Sequence, residues 1–130
     1  MHMARGVGIV GVVALLFVGS AVARAEAPDL SGTYTVEGMS PGAKAPYRGT
    51  LTIKKTAKTY QVNWSIGKAV YFGTGVVQGD YFAVSYTSKS GTYFGVLLYH
   101  IKEGGKKMSG IWTLAGANQL GTETLVKQNK

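Results

Sequence analysis

The 130-residue sequence contains no cysteine. Disulfide bonds, a lipid anchor on cysteine and cysteine-based zinc sites are therefore excluded. Histidine is nearly absent too, because His2 lies near the start of the chain and His100 is the only one beyond it. A single histidine without cysteine does not build the usual zinc site, so we predict no metal ligands.

Acidic residues are also few, with six in the whole chain. Glycosidase chemistry needs two facing carboxylates and calcium needs several clustered oxygens, and the sequence suggests neither grouping. We expect Glu37 and Glu123, on the first and last predicted strands, to pair with nearby lysines. Gly73-Thr74-Gly75 lacks the third glycine and the following helix of a dinucleotide motif. We therefore predict no catalytic residue, no cofactor and no enzymatic activity.

The first 25 residues have the features of a signal peptide. Arg5 precedes an apolar stretch over residues 7–22, and Ala23-Arg24-Ala25 has the small-x-small pattern that signal peptidase accepts. An uncleaved membrane anchor is the alternative, but the apolar stretch is short for a span. We predict a signal peptide at 1–25, a folded domain at 26–130 and no stable membrane span after cleavage. The protein would then be exported, either periplasmic or secreted, and a disulfide-free exported domain is typical of bacteria.

Basic residues outnumber acidic ones. Arg5 and Arg24 belong to the predicted signal peptide, so 12 of the 14 lysines and arginines remain against six acidic residues, a net charge of +6. This surplus favours an anionic partner such as a polysaccharide or an acidic lipid surface. Its alternative role is solubility, because many of the lysines fall at or beside predicted turns. Export argues against nucleic acid, which we do not predict as a partner.

The folded part alternates apolar and polar residues, with glycine or charged turns every eight to twelve residues or so. In residues 59–66, Tyr60, Val62 and Trp64 share one face while polar residues occupy the other. The links are too short for crossover helices, so consecutive strands should pair. We predict an all-β fold, a single small antiparallel up-and-down β-barrel of about eight strands with an avidin-like or lipocalin-like meander. A sandwich is the alternative, and residues 26–30 and 128–130 are expected to fray.

Aromatic residues recur on the predicted inward face. An eight-stranded barrel is either filled by its own side chains or has room for one small ligand, and aromatic walls suit both. If the interior is hollow, the candidate ligand-binding residues are Tyr34, Tyr47, Trp64, Tyr86, Tyr99 and Trp112.

The strand predicted at residues 92–101 is apolar on both faces. Phe94, Val96 and Leu98 alternate with Tyr93, Leu97 and Tyr99. A strand of this kind is either central or covered on its outer face by another subunit. We therefore predict a homo-oligomer that forms through residues 92–101.

Several short segments resemble a family of small secreted bacterial proteins that are often labelled fibronectin-binding proteins. The segments are Gly32-Thr33-Tyr34, Tyr47-Arg48-Gly49-Thr50-Leu51, Tyr60-Gln61-Val62-Asn63-Trp64, Gly73-Thr74-Gly75-Val76, Gly110-Ile111-Trp112 and Leu120-Gly121-Thr122-Glu123-Thr124-Leu125. The resemblance implies an exported barrel and carries no catalytic residue. The stretches at 110–114 and 121–124 are also similar in cadence to the last strands of avidin-type barrels, although the first strand lacks their polar ligand residues.

Two functions remain open at this point. The first is a non-enzymatic binding module for a host-matrix or anionic cell-surface macromolecule, which export, charge and the resemblance favour. The alternative is a carrier or sensor of a small hydrophobic ligand in the barrel interior, which the inward aromatic residues favour.

Overall fold

A computed structural model describes residues 27–129, so the predicted signal peptide lies outside the described residues. Eight strands follow one another along the chain, with one short 3₁₀ turn at Glu103–Gly105 between the sixth and the seventh. The strands are β1 (Gly32–Met39), β2 (Tyr47–Thr56), β3 (Thr59–Ile66), β4 (Ala69–Gln78), β5 (Tyr81–Ser88), β6 (Phe94–Lys102), β7 (Lys107–Leu114) and β8 (Gly121–Lys127).

The eight strands form a closed antiparallel barrel in sequence order. Each strand pairs with the next, and β1 pairs with β8 from Tyr34 opposite Lys127 to Met39 opposite Thr122, which closes the sheet. Tight links make this meander possible; at the β3–β4 hairpin, for example, Gly67 takes a positive φ of 60°. The predicted all-β, up-and-down barrel of about eight strands is confirmed.

Side-chain alternation directs every second residue of a strand into the barrel. In β3, Tyr60, Val62 and Trp64 are buried while the residues between them are exposed. Fully burying one large apolar side chain contributes about 1.5–3 kcal/mol, so the inward positions of the eight strands provide the stabilising core.

One end of the barrel is closed. We call it the closed end; it carries the β2–β3, β4–β5 and β6–β7 connections. Leu30 is completely buried there, and the hydroxyl of Tyr34 donates to the Leu30 carbonyl oxygen at 2.7 Å. Gly105 of the 3₁₀ turn is buried beside Leu30. The two are so close that a Cβ placed on Gly105 would lie 3.0 Å from a Leu30 methyl carbon. The expectation that residues 26–30 fray is therefore wrong at Leu30, which packs as a core residue.

The outer surface differs from one side of the barrel to the other. Strands β1 to β3 expose mainly threonine, lysine and other polar side chains, whereas β4 to β7 expose large apolar ones: Phe72, Val76, Phe94, Val96, Leu98 and Ile111. The two-sided apolar pattern of residues 92–101 therefore places Leu97 and Tyr99 inside the barrel and leaves Val96 and Leu98 in solvent. Association through this surface remains a prediction, which light scattering over a concentration series tests. Within residues 27–129, no helix has the length and apolarity needed to cross a membrane.

Candidate functional site

The other end of the barrel, which we call the open end, contains a cavity of about 400 Å³. It lies beside the β1–β2, β3–β4, β5–β6 and β7–β8 connections, and this volume is within the range of small-molecule sites. The lining residues are mainly aromatic and aliphatic: Ser40, Tyr47, Trp64, Ile66, Tyr71, Tyr86, Tyr93, Leu97, Trp112, Leu114 and Glu123.

The structure separates the six candidate residues into two groups. Tyr47, Trp64, Tyr86 and Trp112 line the cavity. Tyr34 is completely buried at the closed end, where its hydroxyl bonds to backbone. Tyr99 is also completely buried, and its hydroxyl donates to Glu123 at the bottom of the cavity. The interior is thus filled at one end and hollow at the other, so each of the two alternatives for the interior describes one half of it.

A buried carboxylate, Glu123, forms the floor of the cavity. It is 4% exposed, and three side chains donate to it. The Tyr47 hydroxyl reaches Oε1 at 2.9 Å, the Trp64 indole N–H reaches Oε2 at 3.2 Å, and the Tyr99 hydroxyl also donates to Oε2. We expected Glu123 to pair with a lysine; its actual partners are aromatic donors inside the barrel. Glu37 pairs with Arg48 on the outer surface at 3.4 Å, and no lysine within residues 27–129 forms a salt bridge with it.

The position of Glu123 follows from strand geometry. In β8, Gly121, Glu123 and Leu125 are buried while Thr122 and Val126 are exposed, so Glu123 belongs to the inward set. Sequence reasoning missed it because a charged residue is almost never fully buried unless paired. The available signal was its place between two inward positions of a strand, combined with aromatic donors at inward positions of other strands.

Glycines provide the space for these aromatic rings. Glu123 lies opposite Gly38 of β1 and Gly110 of β7 in the strand register. A Cβ on Gly38 would lie 2.1 Å from the Tyr47 ring, and one on Gly110 would lie 2.6 Å from the Tyr99 ring. Both rings therefore pack against the backbone of a glycine, and in this position both hydroxyls donate to Glu123.

The same arrangement recurs around the open end. Trp112 lies over Gly121, where an added Cβ would come within 2.2 Å of the indole, and the Tyr86 hydroxyl lies 2.7 Å from the corresponding position on Gly95. The glycine–aromatic pairs thus determine where the cavity walls stand. Gly73 and Gly75 provide space in the same way, because Trp64 crosses Gly73 and Phe82 crosses Gly75.

The wall rings contact one another edge to face. The ring centroids of Trp64 and Tyr86 are 6.1 Å apart, those of Tyr71 and Tyr86 are also 6.1 Å apart, and those of Tyr47 and Trp112 are 6.4 Å apart. Contacts of this geometry stabilise a pair by about 0.5–1.5 kcal/mol beyond burial. They therefore hold the walls in place without filling the space between them.

Burial controls the protonation of the floor. It raises the pKa of the Glu123 carboxyl above its ordinary value, while the hydrogen bonds from Tyr99, Tyr47 and Trp64 act in the opposite direction. Burial and then the Glu123 charge raise the pKa of Tyr47, and burial is the main cause that raises the pKa of Tyr86 to about 12. Both tyrosine hydroxyls therefore remain protonated at neutral pH and act as donors.

Other reactive groups are dispersed in residues 27–129. No three His, Asp or Glu side chains of this region lie together in a way that could hold a metal ion. His100 stacks on Tyr81 with a ring-centroid distance of 5.2 Å, and Tyr81 is half-exposed on the outer surface. In this region, Glu123 is the one acidic side chain that lines the cavity. What the site offers chemically is an apolar aromatic enclosure with a single acidic group at its base.

These features define an eight-stranded antiparallel β-barrel with an internal cavity that opens at one end. No family model and no curated protein matches the sequence. Among solved structures, the chain is similar to one described as "REP1-NXSQ fatty acid transporter", with a TM-score of 0.52 and 13% sequence identity over 78% of this chain and 98% of that one. At this identity the likeness shows the barrel fold alone. The resemblance to fibronectin-binding proteins remains a prediction.

Proposed function

We propose that the protein binds a small, largely apolar ligand in the open-end cavity and acts as a carrier or sensor of that ligand. The observation that carries the proposal is the cavity of about 400 Å³ in a barrel whose opposite end is tightly filled. Eight strands leave room for only one small ligand when the side chains do not fill the interior. The proposal assigns no catalytic step, and the predicted signal peptide favours an exported location.

The cavity lining supports this function energetically. Its walls are four tyrosines, two tryptophans and three aliphatic residues, apart from Ser40 and Glu123. Each buried methylene group of a ligand would contribute about 0.8 kcal/mol before the cost of association. The solved structure with a similar barrel belongs to a protein described as a fatty acid transporter, which is consistent with this use of the fold.

Tryptophan fluorescence provides a direct test. Both tryptophans of the chain, Trp64 and Trp112, line the cavity. Titration of the purified protein with octanol is expected to change the emission in a saturable way. A strictly linear response, or none, up to the solubility limit of the alcohol would contradict ligand binding.

A matched pair of variants locates the binding. Leu97 faces the cavity, and its neighbour Leu98 faces solvent at 42% exposure. Leu97→Phe is expected to reduce the affinity for octanol because the larger ring occupies part of the cavity, whereas Leu98→Phe should leave it unchanged. Equal effects in the two variants would place the ligand elsewhere.

A second candidate function is suggested by the distribution of charge. Six exposed lysines lie on the connections and strand ends of the closed end: Lys54, Lys55, Lys58, Lys102, Lys106 and Lys107. Lys102 and Lys107 even lie directly opposite each other in the β6–β7 register. A concentration of like charge of this kind favours an anionic macromolecule at a cell surface or in a host matrix.

Heparin and immobilised fibronectin test this second function. Replacing Lys102, Lys106 and Lys107 by glutamine is expected to lower the salt concentration that elutes the protein from heparin. The matched control replaces Lys44, Lys68 and Lys89, which lie on connections of the open end. If wild type binds neither heparin nor fibronectin at moderate salt, or if both triple variants behave alike, the closed end is not a docking surface.

A further inference from the structure

Among residues 27–129, the cavity lining contains one acidic group and no basic group. Among its lining residues Glu123 is the only acid, and none is lysine, arginine or histidine. The remaining polar groups are the hydroxyl of Ser40, the indole N–H groups and the tyrosine hydroxyls. A ligand with a negatively charged head would therefore meet Glu123 without any neutralising cation.

The hydrogen bonds of Glu123 leave one acceptor position unused. A carboxylate offers about four lone-pair positions over its two oxygens. Oε2 accepts from Trp64 and Tyr99, whereas Oε1 accepts only from Tyr47. Within residues 27–129, the second position of Oε1 has no donor, and the residue borders the cavity. A ligand N–H group is what this position would accept.

The walls above Glu123 complement a positive charge. Ring faces attract cations when the charge lies within about 6 Å of the centroid, and the attraction strengthens where water is excluded. Trp64, Tyr86 and Tyr71 form a continuous series of contacting rings, with Tyr47 and Trp112 forming a second pair. Ile66, Leu97 and Leu114 line the same cavity and provide aliphatic surface for the rest of a ligand.

We propose that the cavity selects organic amines: a ligand whose ammonium group donates to Glu123 Oε1 among the aromatic rings and whose apolar body extends toward the open end. This inference rests on the proposed ligand binding and specifies the class of ligand. A fatty acid would fit this cavity less well than an amine, because its anionic head would meet no cation among the lining residues that the structure describes. The Coulombic attraction within such an ion pair is stronger than in water, and the hydrogen bonds that Glu123 keeps offset part of the cost of removing both charges from water.

Three ligands with the same eight-carbon chain test the selection in the wild-type protein. Octylamine, octanol and octanoate are titrated at neutral pH and followed by tryptophan emission. Octylamine is expected to bind roughly ten- to a hundredfold more tightly than octanol, the range of a hydrogen bond to a charged group, and octanoate more weakly than octanol. If octanoate binds as tightly as octylamine, the inference is wrong. If none of the three binds, the proposed function itself fails.

A pair of glutamate variants assigns the effect to the floor. Glu123→Gln is expected to remove the preference for octylamine over octanol while octanol binding persists, and Glu37→Gln, on the outer surface, should keep the preference. Thermal melts and circular dichroism show whether Glu123→Gln is folded, and the three-ligand comparison in wild type stands whether or not it is. A folded Glu123→Gln protein that still prefers octylamine would overturn the assignment.

Discussion

The closed and open ends of the barrel use the same alternation of side chains and reach opposite results. At the closed end, Leu30, Tyr34, Phe82, Met108 and Leu125 are completely buried. At the open end, aromatic rings of similar size stand around a cavity. The difference lies in what surrounds the rings, because at the closed end a segment outside the strands adds Leu30 across the barrel. Hydrophobic alternation therefore forms the cylinder, and residues outside the alternation decide which half of it is filled.

The two ends also use tyrosine differently. The Tyr34 hydroxyl donates to the backbone carbonyl oxygen of Leu30, so it completes a structural contact. The Tyr47 hydroxyl donates to a carboxylate that borders the cavity. A buried hydroxyl needs a partner in either case, but of these two partners only Glu123 lines the cavity.

The largest expected effect is the loss of stability when a buried ring is removed from the closed end. Phe82→Ala should lower the free energy of unfolding by about 3–5 kcal/mol, because the ring is completely buried and contacts both Tyr60 and Tyr99. Urea denaturation measures the change. Phe72→Ala, which removes a 43% exposed ring, is the control and should cost far less. Similar losses in the two variants would mean that the closed end is not the stabilising core.

Removal of the side chain that closes the barrel tests the role of the segment before β1. Leu30→Ala is expected to cost about 2–5 kcal/mol, because the methyl groups lost are fully buried against Gly105. The matched change Leu120→Ala, at a residue 61% exposed, should leave the urea midpoint nearly unchanged. A midpoint for Leu30→Ala that matches wild type would show that the segment frays after all.

The buried carboxyl makes stability depend on pH in an unusual direction. Because burial raises the pKa of Glu123 in the folded state, the folded protein holds this proton more tightly than the unfolded chain. Glu123 therefore stabilises the folded protein fully when the pH is below the ordinary pKa of the carboxyl, near 4.5. This stabilisation is lost as the pH rises through the raised pKa of the folded state. It amounts to about 1.4 kcal/mol for each tenfold difference in proton affinity between the folded and unfolded states.

Urea midpoints of wild type and Glu123→Gln across this pH range measure the contribution. Glu123→Gln has no carboxyl to titrate at this position, so it should not show the fall in stability that Glu123 causes in wild type. The stability of the variant relative to wild type should therefore increase with pH. Tyr47, Tyr86 and Tyr99 face the same space and keep their protons throughout, since their pKa values are also raised. The prediction is wrong if the two proteins show parallel pH profiles.

The smallest expected effect concerns a single hydroxyl at the open end. Tyr47→Phe removes one donor from Glu123 and should cost about 0.5–1.5 kcal/mol while raising the pKa of the carboxyl further, because that hydrogen bond favours the charged form. Tyr81→Phe on the outer surface is the control. Carbon-detected titration of the glutamate carboxyl by NMR follows the pKa, and an unchanged or lowered value would contradict the arrangement at the floor.

The barrel was predictable from local patterns because each strand shows its period in its own residues, as residues 59–66 do. The short links then restricted the topology to consecutive pairing. Four of the six candidate aromatic residues line the cavity, and the sequence could place them because the alternation within each strand shows which residues face inward. The alternation places Tyr34 and Tyr99 on the inward face too, but it does not show that both lie below the cavity.

The remaining features depend on contacts between distant parts of the chain. The placement of Glu123 depends on donors from β2, β3 and β6, which lie 76, 59 and 24 residues away. The buried position of Leu30 depends on a 3₁₀ turn more than seventy residues later, through Tyr34 and Gly105. Neither partner is visible in the local sequence, so a charged residue was expected at the surface and an end segment was expected to fray.

The closed end also receives both ends of the described chain. Pro28 lies near Gly105, and β8 finishes at Lys127, whose amide donates to the Lys106 carbonyl oxygen on the β6–β7 connection. Anything joined to the barrel at residue 27 or residue 129 would therefore be attached behind it. Whether the attachment is a bead, a fused reporter or a surface, the barrel would be held by its closed end. The cavity entrance would face outward, so a tethered protein would keep the cavity accessible.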